Sequence, residues 1–92
     1  MTCQGPEATW RPLMQYFVRT METHKESDRL FGPELLCAGL AVAKEEAKRL
    51  VLSSDPSRRL QADACARNGG RVRTKYRCWM NERGEFHESM LV

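Results

Sequence analysis

A change of hydrophobic period at Asn68-Gly69-Gly70 constrains this chain more than any other feature. Downstream of it, Val72, Thr74, Tyr76, Cys78 and Met80 alternate with Arg71, Arg73, Lys75, Arg77 and Trp79. Period two is the signature of a strand, whose successive side chains point to opposite faces. Asn81-Glu82-Arg83-Gly84 reads as a turn with Gly84 in the left-handed region, followed by a shorter return strand from Glu85 to about Leu91. With a three-residue loop, Met80 faces Phe86, Tyr76 faces Met90 and Trp79 faces His87. Phe86 and Met90 then join the apolar side, whereas a four-residue loop shifts the pairing by one and spoils the match. The expectation for residues 71–91 is an antiparallel β-hairpin.

Upstream, the spacing suggests helices. Trp10, Leu13, Met14, Phe17, Val18 and Met21 recur at helical intervals, which predicts a helix over about 10–24, capped by Thr9 with Pro12 in its first turn. Gly32-Pro33 opens a second, over about 33–52, with Leu36, Leu40, Ala43, Ala47, Leu50 and Val51 as its inner stripe and Glu45–Arg49 as an i,i+4 pair. Ser54 or Asp55 caps a third, over about 55–67, with Pro56 in its first turn and Leu60 and Ala64 inside; Asn68-Gly69-Gly70 would stop it. The expected fold is therefore α+β: three helices followed by a C-terminal antiparallel hairpin, in a single compact domain spanning 1–92.

Ninety-two residues with 41% hydrophobic content suit one small globular domain. No run approaches the roughly 20 apolar residues of a membrane span, and Met1 to Trp10 lacks the basic-then-apolar pattern of a signal peptide, so a cytoplasmic location is expected. Cys3, Cys37, Cys65 and Cys78 lie 34, 28 and 13 residues apart with no CxxC pair, which favours reduced thiols over a disulfide framework.

Catalytic chemistry is sparsely represented. The two histidines, His24 and His87, are few for an activated nucleophile. The hairpin register puts Cys78 and His87 on opposite faces, and no nucleophile elbow, phosphate-cradling loop or HExxH is present. Zinc held by Cys65, Cys78 and His87 lacks both close ligand pairs and a fourth ligand. The expectation is a protein with no enzyme activity, no metal or cofactor and no small-molecule substrate.

The charge distribution points to a partner instead. Net charge is only +3, and residues 1–54 balance 7 Lys+Arg against 7 Asp+Glu. Residues 55–83 carry 8 Lys+Arg against 3 acids. Alternation sets Arg71, Arg73, Lys75 and Arg77 in a row at about 6.5–7 Å, comparable to the spacing of successive phosphates along a nucleic-acid backbone. Trp79 with His87 across from it offers a stacking surface, and Arg58 and Arg59 extend the patch. The competing explanation is a charged face kept for solubility, although a row of one sign repels itself.

Two architectures accommodate these residues. One is a winged-helix DNA-binding regulator, with the third helix in the major groove and the hairpin as the wing. The other is a compact adaptor or inhibitor whose basic face, Arg71, Arg73, Lys75, Arg77 and Trp79, docks on a ribonucleoprotein or other nucleic-acid-containing complex. In size and character this second type resembles the phage-encoded type I-F anti-CRISPR proteins, although these share no motif and many are acidic whereas this chain is basic. The resemblance implies a non-enzymatic inhibitor that binds an RNA-guided surveillance complex, through guide RNA or protein subunits, in a bacterial host cell.

Overall fold

The computed structural model describes residues 14–23, 28–30 and 33–91. Its elements are β1 (Met14–Thr23), β2 (Asp28–Leu30), β3 (Leu35–Cys37), α1 (Leu40–Leu52), a 3-10 turn (Pro56–Arg58), β4 (Leu60–Asn68), β5 (Arg71–Met80) and β6 (Phe86–Met90). The strands form one antiparallel sheet in the order β2-β1-β4-β5-β6, and β3 also pairs with β1. Helix α1 carries the chain from β3 on one side of β1 to β4 on the other, so β3 and β4 flank β1 in a split β-α-β arrangement.

Three helices were expected, and α1 is the one α-helix among the described residues. The segment read as a first helix is β1 over its described part; residues 10–13 and 24 lie outside the described residues. Its apolar pattern fits two periods. Phe17 and Val18 are adjacent, which a helix permits on one stripe, yet here they point to opposite faces of the sheet and both are buried. The second expected helix starts seven residues late. Leu35–Cys37 gains ladder pairing with Tyr16, Phe17 and Val18, and helix begins only after Gly39. Its salt links are Glu45–Lys48 and Glu46–Arg49, both i,i+3, in place of the expected Glu45–Arg49.

The third expected helix shrinks to a single 3-10 turn. Asp55 does cap it, accepting a hydrogen bond from the Ser57 N–H at 3.0 Å, and Pro56 does open it. The chain then turns through Arg59, at φ 50° and ψ 53°, into strand β4. Alanines at 62, 64 and 66 suggested helix because alanine is the best helix former. Tertiary packing overrides that preference: Ala62 and Ala64 lie beneath α1, where Ala43, Ala47 and Val51 come down onto the sheet. Small residues on both elements let helix and sheet approach closely. Val18, Tyr76, Cys78 and Met80 complete this core, with Tyr16, Cys37, Leu40, Leu50 and Phe86 around it.

The strand pairing expected for the C-terminal segment is present. Met80 faces Phe86, Trp79 faces His87 and Tyr76 faces Met90. Asn81 and Glu85 close the loop through Asn81 N–H to Glu85 C=O at 3.0 Å, and Gly84 sits at φ 79°. Asn68-Gly69-Gly70 does not stop a helix. Asn68 pairs with Arg71, and Gly69 at φ 62° makes the two-residue turn of a β4–β5 hairpin.

Candidate functional site

The β4–β5 ladder contains an irregularity that rearranges the expected basic row. Cys65 pairs with Thr74 and Ala64 with Tyr76, so Lys75 is an extra residue on β5. Such a β-bulge reverses the parity of the strand beyond it. Before the bulge, Arg71 and Arg73 lie on the same face as Ala66 and the helix-covered core. After it, Arg77 and Trp79 lie on the opposite face, the one away from α1. The five residues expected to share one face are therefore divided between two.

On the helix side, Arg71, Arg73 and Lys75 converge at the end of the sheet beyond the reach of α1. With Met14, Ala66 and Asn68 they line a cavity of about 270 Å³. Among the described residues no carboxylate lines it, and these three cations form no ion pair. The other basic candidates are neutralised. Arg58 pairs with Glu22 at 3.6 Å and Arg59 with Glu82 at 3.2 Å. Arg77 donates from Nε to Asp63 Oδ1 at 3.0 Å and from Nη2 to Asp63 Oδ2 at 3.1 Å.

Asp63 organises the open face. It has no exposed surface, and besides Arg77 it receives the Gln61 amide at 3.3 Å and lies 3.7 Å from Arg19 Nη2. Arg19 also donates to Thr74 Oγ1 at 3.3 Å. Next to this cluster, Phe17 and Cys65 are fully buried. The Arg67 guanidinium covers Phe17 at 4.4 Å from the ring centre, a cation–π contact, and Glu34 holds Arg67 through bonds of 2.8 and 3.0 Å. At the far end, Trp79 and His87 stack with ring centres 5.5 Å apart and planes 12° from parallel. Asn81 reaches His87 Nε2 at 3.0 Å while its Oδ1 accepts the N–H groups of Arg83 and Glu85.

Asp63, Gln61, Arg19 and Asn81 were not anticipated as site residues. A signal for the first two existed: Leu60 to Arg67 alternates small or apolar residues with Gln61, Asp63, Cys65 and Arg67, a period-two pattern obscured by the helix propensity of alanine.

The thiols are held away from reactive partners. Cys65 and Cys78 are fully buried, and burial pushes Cys78 up to about 11. Cys78 lies on the helix side, whereas His87 lies on the other face, level with Gln61 and so four residues along β4 from Cys65. Among the described residues no three His, Cys, Asp or Glu side chains gather as metal ligands, and no helix is long and apolar enough to cross a membrane.

The described residues define a class: an antiparallel sheet with α1 on one face, a basic cup at its end that no described carboxylate pairs, and a stacked Trp–His pair on the face away from α1. No family model, curated protein or solved structure matches the chain.

Proposed function

We propose that this is a non-enzymatic binding protein that docks on a nucleic-acid-containing complex through the cup formed by Arg71, Arg73 and Lys75. One observation carries the reading: three cations converge on one cavity that no carboxylate among the described residues lines, while Arg58, Arg59 and Arg77 each have an acidic partner. Holding three like charges together without a counter-ion is unfavourable, and an incoming phosphate removes that repulsion. Arginine suits the role because its planar fork meets phosphate oxygens in pairs. The separation of Cys78 from His87 supports a docking role over a catalytic one. A winged-helix reading is withdrawn, since residues 60–68, required for its recognition helix, form β4.

Binding of labelled RNA and DNA to the wild-type chain and to Arg71→Ala/Arg73→Ala tests the proposal. Affinity capture from a bacterial lysate with and without nuclease distinguishes nucleic acid from an acidic protein surface. Resemblance in size and character to type I-F anti-CRISPR proteins makes an RNA-guided surveillance complex the first ribonucleoprotein to try. Equal binding by the double variant and the wild type would remove the cup from consideration.

A further inference from the structure

We infer a second site, independent of the cup: a nucleobase pocket on the open face, walled by Trp79. The two lie on opposite faces, with the middle of the cup about 20 Å from Trp79 along β5, so neither needs the other.

His87 stacks on one face of the indole, from the β6 side. On the β4 side Gln61 is the direct ladder partner of Trp79, and there a cavity of about 260 Å³ opens, lined by Arg59, Gln61, Trp79, Met80, Asn81 and Glu82. That volume is just below the roughly 300–1,000 Å³ of drug-sized sites, the scale of a single planar ring system. The polar groups are already oriented. Gln61 Nε2 is engaged by Asp63 Oδ1, which leaves the Gln61 carbonyl oxygen as an acceptor for an N–H on the base edge. Asn81, occupied by the turn and by His87, keeps the aromatic pair in place.

The backbone supplies a second, independent observation. Arg59 is the one described non-glycine residue at positive φ, a conformation that persists only where surrounding structure enforces it and that concentrates at functional sites. Its side chain lines the base cavity and also an adjoining cavity of about 390 Å³ with Pro56, Ser57 and Glu82. A base on Trp79 would direct its sugar toward that second space, where Arg59 is held by Glu82 at 3.2 Å and leaves the phosphate to solvent. Stacking is tolerant of base identity, so the ligand class is a nucleobase, free as a 5′-mononucleotide or carried in a single strand.

The test is titration of the full chain with 5′-AMP, 5′-CMP and a ten-nucleotide single-stranded DNA, read by ¹H–¹⁵N NMR. The indole N–H signal of Trp79 is assigned by its loss in Trp79→Phe. The expected result is a shift of the Trp79 indole and Gln61 amide signals. Trp79→Ala should weaken binding by about 5- to 150-fold, while Trp79→Phe, which preserves a stacking ring, retains most of it. Gln61→Ala should weaken it, and Arg71→Ala/Arg73→Ala should leave the mononucleotide shifts unchanged even where it abolishes strand binding at the cup. Response to the oligonucleotide alone assigns the base to a strand, and response to mononucleotides assigns it to a free nucleotide. No shift of Trp79 with any of the three, or equal affinity in Trp79→Ala, overturns the site.

Discussion

Arg77 grips Asp63 with two hydrogen bonds, 3.0 and 3.1 Å long, and the carboxylate they hold has no exposed surface. A residue expected to meet phosphate is thereby committed to holding the sheet together. Asp63→Ala leaves Arg19 and Arg77 without their common counter-ion. Both guanidiniums are about one-third exposed and keep some hydration, so the loss should fall near the lower end of the roughly 3–5 kcal/mol seen when a buried pair is broken. Arg77→Ala should also lower the melting temperature, because Asp63 stays buried with a weaker partner at 3.7 Å. Arg73→Ala, at an exposed position with no ion pair among the described residues, should leave it within about 0.5 kcal/mol of wild type. Thermal melts of the three variants check this, and an unmoved Asp63→Ala would refute the structural role.

Salt dependence reads the cup. Each phosphate contact contributes about 0.7–0.9 to the slope of log affinity against log salt concentration. Arg71→Ala/Arg73→Ala should flatten that slope by about 1.4–1.8, without a stability change. Titrations of a labelled strand between 50 and 200 mM salt, roughly the range over which such slopes are measured, provide the comparison. A weakened affinity with an unchanged slope would place the two arginines outside the phosphate contacts.

Thiol reactivity should rank by burial. Cys37 is half-buried, and desolvation together with the nearby Glu46 charge raises its pKa; Cys65 and Cys78 are fully buried. In a Cys3→Ser background, a thiol-specific reagent at pH 8 should label Cys37 slowly and reach the other two only on unfolding. Mass spectrometry of the labelled protein decides, and early labelling of Cys78 would contradict its place beneath α1.

Stability should fall at alkaline pH. Burial pushes Cys78 from 9.0 up to about 11, and burial with the hydrogen bond to Glu88 raises Tyr76 further still. Both groups bind their protons more tightly in the folded chain. Their contribution is fully present below pH 9 and is lost as pH rises through 9 to 11 and beyond. The slope for one such group is at most about 1.4 kcal/mol per pH unit. Urea unfolding at pH 8, 9.5 and 10.5 should show a falling midpoint, and Cys78→Ala should make the fall shallower. A flat midpoint across the series would argue against the buried thiol.

Close helix–sheet approach rests on alanine against alanine. Ala64→Leu adds volume where Ala43 and Ala47 meet the sheet and should destabilise by about 1–3 kcal/mol. Melting of Ala64→Leu beside the milder Ala64→Ser measures this. An unchanged melting temperature in Ala64→Leu would mean that α1 sits farther from β4.

Local chemistry in the sequence determined the second hairpin. Alternation from Val72 to Met80, the left-handed glycine at 84 and the need to place Phe86 and Met90 on the apolar side select a single register, and those pairs are found. Asp55 and Pro56 likewise mark the start of a turn, and Ala43, Ala47 and Val51 the buried stripe of a helix. Tertiary structure decided the rest. Over short windows, the spacing of Met14, Phe17, Val18 and Met21 fits a helical stripe as well as a strand buried on both faces. Only pairing of β1 with β4 and the cover of Phe17 by Arg67 select the strand. Ala62, Ala64 and Ala66 prefer helix in isolation and become strand because a neighbouring helix needs a flat, small-residue surface. The basic row was legible residue by residue, but its face was not. One unpaired residue, Lys75, reverses the strand's parity, and no local property of Arg77 or Trp79 records that a bulge precedes them.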